Sequence, residues 1–399
     1  MALLSVDEAL ALVLKGLAPL EAEQVAIGDA FDRVLAADIA ARVTQPPFDA
    51  SAMDGYAVRA ADVTTLPVTL ELIGEAAAGA RFAGTLGPGQ AVRIFTGAPV
   101  PDGADTIAIQ ENAEESDGHV VVKEAAPGRH IRPRGQDFAE GQVLLASGTR
   151  LGPRALMLAA SANHAELPVI RKPKVAILAT GDELVPPGSE LGPGQIVSSV
   201  GYGLAALVAA QGGEAVTLGI AKDDLESIAT LAGTGAGADI LVTIGGASVG
   251  ERDLVVNALR AEGLELDFAK VAMRPGKPVL YGRLGTQRLL GLPGNPVSAL
   301  ICAQVFLLPM LRAMLGLPEE RLVREAVLGE ALEANGPRTH YIRATSAWRE
   351  DGMRLVRPLA SQDSSLVAAF ARADCLILCA PHAPALPAGA PVKILPFAD

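Results

Sequence analysis

A multidomain α/β protein with a parallel-rich central sheet is what this sequence predicts, and three observations carry the prediction. Between Lys174 and Leu311 short apolar runs alternate with helical segments, the pattern of βα units. From Asp49 to Glu140 short β runs are separated by Gly, Pro and Asp turns. The chain has 399 residues, more than one domain at roughly 150 residues each.

Ser5 and Glu8 form a capping-box pattern ahead of the apolar run Ala9 to Leu14, so the chain opens on a helix. Ala26 to Ala37 reads as a second helix, and Pro46-Pro47 then ends regular structure. VTLELI (68–73), AVRIF (91–95), TIAIQ (106–110) and HVVVK (119–123) read as strands. Pro153, favoured in a first helical turn, starts a helix through RALMLAASA. VAILAT (175–180) is continuously apolar, as parallel strands buried on both faces are. The series continues with a helix near Gly201 to Gln211, the strand AVTLGI (215–220) and a helix from Asp224. It ends with DILVTIGG (239–246), a helix from Asp253 to Ala261, LLGLPG (289–294) and a helix from Val297. Gly316 to Asp399 is β-rich (YIRATSAW, GMRLVRPL, CLILCA, PVKILPF), with one short helical candidate, Leu366 to Arg372.

Composition excludes several functions. Met1 to Leu10 has no basic leader, so no secretory signal is expected and the chain reads as cytoplasmic. No stretch reaches ~18 uninterrupted apolar residues; Val297 to Leu311, broken by Ser298, Gln304 and Pro309, reads as a buried helix. Three cysteines make no disulfide framework, and Cys375 and Cys379, flanking LIL, read as buried small hydrophobes. The five histidines have no metal-ligand helix spacing, which argues against zinc. A net charge of −12 argues against general nucleic-acid binding, so any anion must be held by a local basic cluster.

In open α/β sheets ligands bind beyond the carboxyl ends of the strands. Three strand ends carry unusual loops: Thr180-Gly181-Asp182-Glu183, the segment from Gly245 to Asp253, and Pro293-Gly294-Asn295-Pro296-Val297-Ser298. In the second, Gly245, Gly246, Ser248 and Gly250 precede a helix, the parts of an anion cradle. A tight βα turn without a ligand is the equal alternative. Glu183 and Asp253 could bind Mg²⁺, or Asp253 could be only a helix N-terminal acid. Asp182 could equally be a plain turn residue. Lys270, Arg274 and Lys277 surround a Pro-stiffened loop suited to an oxyanion, or to plain solvated charge. Arg129, Arg132 and Arg134 form a second small basic cluster with the same two readings.

PPFDASAMDGYAV, FTGAPVP, RPRGQDF, ATGDEL, IGGASVGERD, RPGKPV and GLPGNPVS occur in the order in which the MoeA family carries them. The sequence resembles that family, molybdopterin molybdenumtransferases similar to the E domain of gephyrin, from about residue 5 to 397. The resemblance implies insertion of molybdate into adenylylated molybdopterin with release of AMP, with Mg²⁺ as metal. It implies catalytic roles for Asp54, Thr96, Asp137, Glu183, Asp223 and Asp253, the metal falling to Glu183 and Asp253. Binding roles fall to Gly245, Gly246, Ser248, Gly250, Lys270, Arg274, Lys277, Pro293, Asn295, Pro296, Arg343 and Ser364. It also implies four domains: a small α+β domain (1–45 plus 141–170), a β-rich domain (46–140), a three-layer α/β/α molybdopterin-binding domain (171–315) and a C-terminal β-barrel-like domain (316–399).

The resemblance also implies a homodimer that binds a small pterin substrate, with transient contact to a molybdopterin adenylyltransferase and acceptor molybdoenzymes; no nucleic acid or membrane is expected as partner. The alternatives are adenylyltransferase-like activity and a non-enzymatic scaffold. Two positions depart from the family pattern. Arg274 stands where Lys is frequent, and Ser198-Ser199-Val200 replaces an Asp-x-Asn, losing a carboxylate and an amide.

Overall fold

The computed structural model describes residues 3–246, 254–318 and 323–397. The chain forms two compact units, one of Met1–Glu23, Asp32–Ala36 and Pro168–Asp399, the other of Gln24–Phe31 and Ala37–Leu167.

The first unit holds a six-stranded sheet in the order Glu214–Ala221, Lys174–Thr180, Ile240–Ile244, Gln287–Leu292, Leu280–Leu284, Leu264–Phe268. The first four strands are mutually parallel and the last two pair antiparallel. Burial on both faces explains the continuous apolar runs. Val175, Ile177, Ile240 and Val242 pack on one face with the helices Val200–Ala210 and Pro296–Cys302. Ala176, Leu178 and Leu241 pack on the other with Leu225–Thr234 and Leu254–Ala261. The three-layer α/β/α arrangement follows from this alternation. The opening helix, Val6–Leu14, has the expected capping box between Ser5 and Glu8 and joins the first of these cores.

The apolar segment after Asn295 runs as one helical body, Pro296–Met314, long and apolar enough to cross a membrane but 78% buried over its most apolar window. It is a core helix. Its middle, Ala303–Leu307, is a π turn just ahead of Pro309, which has no N–H to donate.

The C-terminal strands close a five-stranded barrel. Thr339–Trp348 pairs with Arg354–Pro358, then follow Arg324–Leu328, Pro391–Pro396 and Cys375–Cys379, which pairs back onto Thr339–Trp348. Cys375 and Cys379 are buried inside it, as expected, with Ile342, Ile377 and Ile394. The short helix Val367–Phe370 falls within the expected helical stretch Leu366 to Arg372.

The second unit is built on six strands in the order Thr106–Ile109, Gly55–Val58, Gln90–Ile94, Val68–Ala76, His119–Val122, Ala113–Ser116. The helix Pro153–Ser161 begins at its proline, as expected. The helix expected over Ala26 to Ala37 is absent: Ile27–Asp29 forms a single 3₁₀ turn. Asp32 takes φ +64°, which ends any helix there. Arg33 is then drawn inward by tertiary contacts, donating to the Ile170 carbonyl at 2.9 Å and pairing with Glu23.

Candidate functional site

The parallel strands Lys174–Thr180, Ile240–Ile244 and Gln287–Leu292 end at a cavity of about 810 Å³. It is lined by Glu183, Asp223, Gly245, Gly246, Pro293, Asn295 and Pro296, seven of the residues singled out from the sequence. Thr180, Ser198, Ser199, Pro278 and Ser365 complete much of the wall.

Gly245 and Gly246 take φ +85° and +65°. A Cβ on Gly245 would lie 2.8 Å from the Thr180 carbonyl oxygen, and one on Gly246 2.5 Å from Val255 Cγ2. Only glycine fits this close backbone approach. Ser248, Gly250 and Asp253 lie outside the described residues.

Asn295 caps the core helix by its backbone alone and turns its amide outward, donating from Nδ2 to Ser364 Oγ at 3.0 Å. The Val297 N–H donates to the Ser364 carbonyl at 3.2 Å. The segment 361–365 is thereby tied to the helix start. Its other anchor is Arg343, whose side chain is completely buried. Arg343 Nη1 donates to the Asp363 carbonyl at 2.8 Å, and Nε to Gln362 Oε1 at 3.2 Å. Gln362 returns a hydrogen bond to the Arg343 carbonyl at 3.0 Å. Arg343 Nη2 is buried without a partner, a donor left over for an acceptor the fold does not supply.

Acids gather at the first strand end. The Asp223 N–H donates to Asp182 Oδ1 at 3.2 Å. Burial, and then the charges of Asp182 and Glu183, push the Asp223 carboxyl above its ordinary range. A raised carboxyl favours the folded state below the ordinary value of 3.8 and loses that contribution as pH rises. Asp223→Asn is therefore expected to raise the melting temperature at pH 7 by a small amount that vanishes by about pH 3. Thermal unfolding at the two pH values checks it, and an unchanged melting temperature at pH 7 contradicts it.

The basic loop is turned tightly by a hydrogen bond from the Val271 N–H to the Lys277 carbonyl at 3.0 Å, with a cis Arg274-Pro275 bond. Lys270, Arg274 and Lys277 are exposed, and Pro278 reaches the cavity wall. Met273–Arg274 pairs in parallel with Thr339–His340, so Arg274 lies opposite His340. Burial, with the positive charges of Arg274, Arg338 and Arg343, lowers the His340 pKa to about 4. The imidazole is thus neutral at physiological pH. A depressed histidine favours the folded state above its ordinary 6.5 and progressively less as pH falls towards 4. Replacing it, as in His340→Gln, is expected to remove about 2 kcal/mol of acid destabilisation across that window, allowing for water at the half-buried ring. Parallel pH–stability curves for wild type and variant would refute this.

In the second unit, Asp54 Oδ1 accepts from the Thr96 N–H at 2.7 Å and its hydroxyl at 2.8 Å. Those two bonds and the nearby Arg93 charge hold the Asp54 carboxyl below its ordinary range. Asp137 lines a separate cavity of about 520 Å³ with Arg132, Gln136 and Phe48. Sequence reading did not single out Gln362, Ser365 or His340. Gln362 was beyond reach, because its partner Arg343 is 19 residues away. The polar density of Ser361-Gln362-Asp363-Ser364-Ser365 was the only signal for Ser365.

Three family models match the chain in order: the MoeA N-terminal region (domains I and II) over 4–163, a probable molybdopterin binding domain over 176–313, and the MoeA C-terminal region (domain IV) over 325–397. The molybdopterin molybdenumtransferase of Haemophilus influenzae is 34% identical over 99% of both chains. That of Bacillus subtilis is 36% identical over 90% of this chain and 86% of its own. The crystal structure of the molybdopterin biosynthesis MoeA protein from Pyrococcus horikosii superposes with a TM-score of 0.87 at 32% identity, covering 99% of each chain. With residues of ATGDEL, the Gly245-Gly246 turn and GLPGNPVS at one strand-end cavity and this likeness along nearly its whole length, the chain belongs to the MoeA family.

Proposed function

We propose that this protein is a molybdopterin molybdenumtransferase, inserting molybdate into adenylylated molybdopterin and releasing AMP. The observation that supports this most is the cavity itself. It sets a glycine turn that only glycine can make, the Pro293–Pro296 turn and a cluster of acids at the ends of three parallel strands. The backbone at Gly245 and Gly246 is suited to the substrate's phosphates, and Ser248 and Gly250 of the same motif belong to the proposed binding set. Lys270, Arg274 and Lys277 supply positive charge for molybdate, and Arg343 fixes the loop that carries Ser364. Asp54, Thr96 and Asp137 complete the proposed set.

Mg²⁺ suits the donors present. Glu183 and Asp223 line the cavity; burial first, and then the charges of Asp182 and Glu183, raise the Asp223 carboxyl, and a divalent ion would relieve that repulsion. No group of three metal-ligating side chains gathers among the described residues, and Mg²⁺ commonly takes only one or two carboxylates besides substrate phosphates. Glu183, with Asp253, would hold it; bound, it would neutralise phosphate charge. The polar wall of Ser198 and Ser199 binds and orients substrate where the family pattern has an acid and an amide.

The four-part division of the chain and a cytoplasmic homodimer belong to the same proposal. Family-model boundaries at 163/176 and 313/325 lie close to two of the proposed divisions. The deciding experiment incubates the protein with adenylylated molybdopterin, Mg²⁺ and molybdate and measures AMP. Wild type is expected to release AMP only with molybdate present, and Glu183→Gln to be slower by roughly a hundredfold. Wild type that releases no AMP in response to molybdate defeats the reading.

A further inference from the structure

A second cavity, of about 500 Å³, opens beside the strand-end cavity and shares Ala179, Gly181, Leu184 and Ser198 with it. Its character is different. The walls are mostly apolar, with Ile177, Leu184, Pro186, Pro187 and Ile220; the charged members of the lining are Asp182 and Lys222, and Tyr202, 64% exposed, stands among the lining residues. The sheet makes the space by a bulge. Ile177 is level with Thr217 but Leu178 with Gly219, so Leu218 is an extra residue, packed into the core on the opposite face. Beyond the bulge Ile220 comes level with Ala179. Gly219, at φ +101°, has no atom within 4 Å of where its Cβ would be. Small residues therefore floor an open apolar slot at the edge of the sheet.

An apolar slot joined to a polar, acid-rimmed and glycine-turned cavity matches a ligand with a flat ring at one end and phosphate at the other. Tyr202 offers a face for stacking, and the hydroxyls of Thr217 and Ser198 offer partners for ring nitrogens. We propose that this second cavity is the subsite for a fused heteroaromatic ring of the substrate. The inference rests on the function proposed above and adds where a ring is held. Two rings share the required chemistry, the adenine and the pterin, and the test tells them apart.

Thr217 is exposed on the outermost strand, so Thr217→Trp fills the slot with little cost to folding. Tyr202→Ala removes the stacking face. Binding of AMP, of a phosphate-free pterin and of inorganic pyrophosphate is measured by calorimetry to wild type and both variants, with thermal melts as a folding control. At least one ring ligand is expected to bind Thr217→Trp roughly tenfold more weakly, the scale of one lost ring stack, with pyrophosphate unchanged. A loss confined to AMP supports the subsite and assigns it to adenine; a loss confined to the pterin supports it and assigns it to that ring. The proposal is overturned if both ring ligands bind the variants as they bind wild type, if pyrophosphate weakens in step with them, or if wild type binds neither ring. Molybdate-dependent AMP release by wild type, measured alongside, judges the insertion reading separately: it can fail while ring binding still locates the slot, and it can succeed while Thr217→Trp binds rings normally.

Discussion

Gly276→Ala is expected to cost the fold about 3–5 kcal/mol, a large share of a typical domain's stability. Gly276 is buried in the basic loop at φ +100°, where an L side chain is strained. An added Cβ would lie 2.2 Å from Cys302 Sγ and 3.2 Å from Met273 Cε. Cys302 is fully buried in the core helix, so neither partner can retreat without moving its neighbours. A melting temperature lower by roughly 10 °C is the expected readout. Adding Cys302→Ala should restore the share due to the sulfur contact and leave the backbone share. A single variant that melts with wild type would show that the loop relaxes freely.

Arg343→Met is expected to leave stability near wild type and to slow molybdate-dependent AMP release by roughly a hundredfold. The guanidinium is fully buried, and burial lowers its pKa from the ordinary arginine value. Its hydrogen-bond partners are neutral, an amide oxygen and a carbonyl, and Nη2 has none. Methionine removes the desolvated charge at similar volume, and Gln362 Oε1 keeps the Arg343 backbone N–H at 2.9 Å. Stability therefore changes little. The segment bearing Ser364 and Ser365 loses its side-chain anchor, and the buried spare donor is gone. Calorimetric melting and AMP release separate the two effects. Full activity in Arg343→Met would show that neither the anchor nor the donor serves the reaction.

The sheet was legible where physics is local. Lys174–Thr180 and Ile240–Ile244 are buried on both faces, so VAILAT and ILVTI are almost wholly apolar, and the turns that follow carry the glycines of the cavity. Leu264–Phe268 and Leu280–Leu284 were not read as strands. Each carries charge, at Glu265 and Asp267 or Arg283, because they lie at the antiparallel end of the sheet where less is covered. The absence of a helix over Ala26 to Ala37 has a similar cause: contacts of Arg33 with residues distant in sequence outweigh local helix preference. Within the site, glycine turns and strand-end acids announced themselves. The burial of Arg343 did not, since an arginine in a strand normally reads as surface.

The bulge at Leu218 has a consequence for folding in a crowded cell. Glu214–Ala221 is the outermost strand of its sheet, with Val216 exposed, and a flat edge of that kind invites another chain to add a strand. The extra residue breaks the hydrogen-bond register halfway along, and the glycine beside it twists the backbone out of template geometry. A bulge that opens a cavity beside the sheet edge thus also guards a newly made chain against edge-to-edge aggregation.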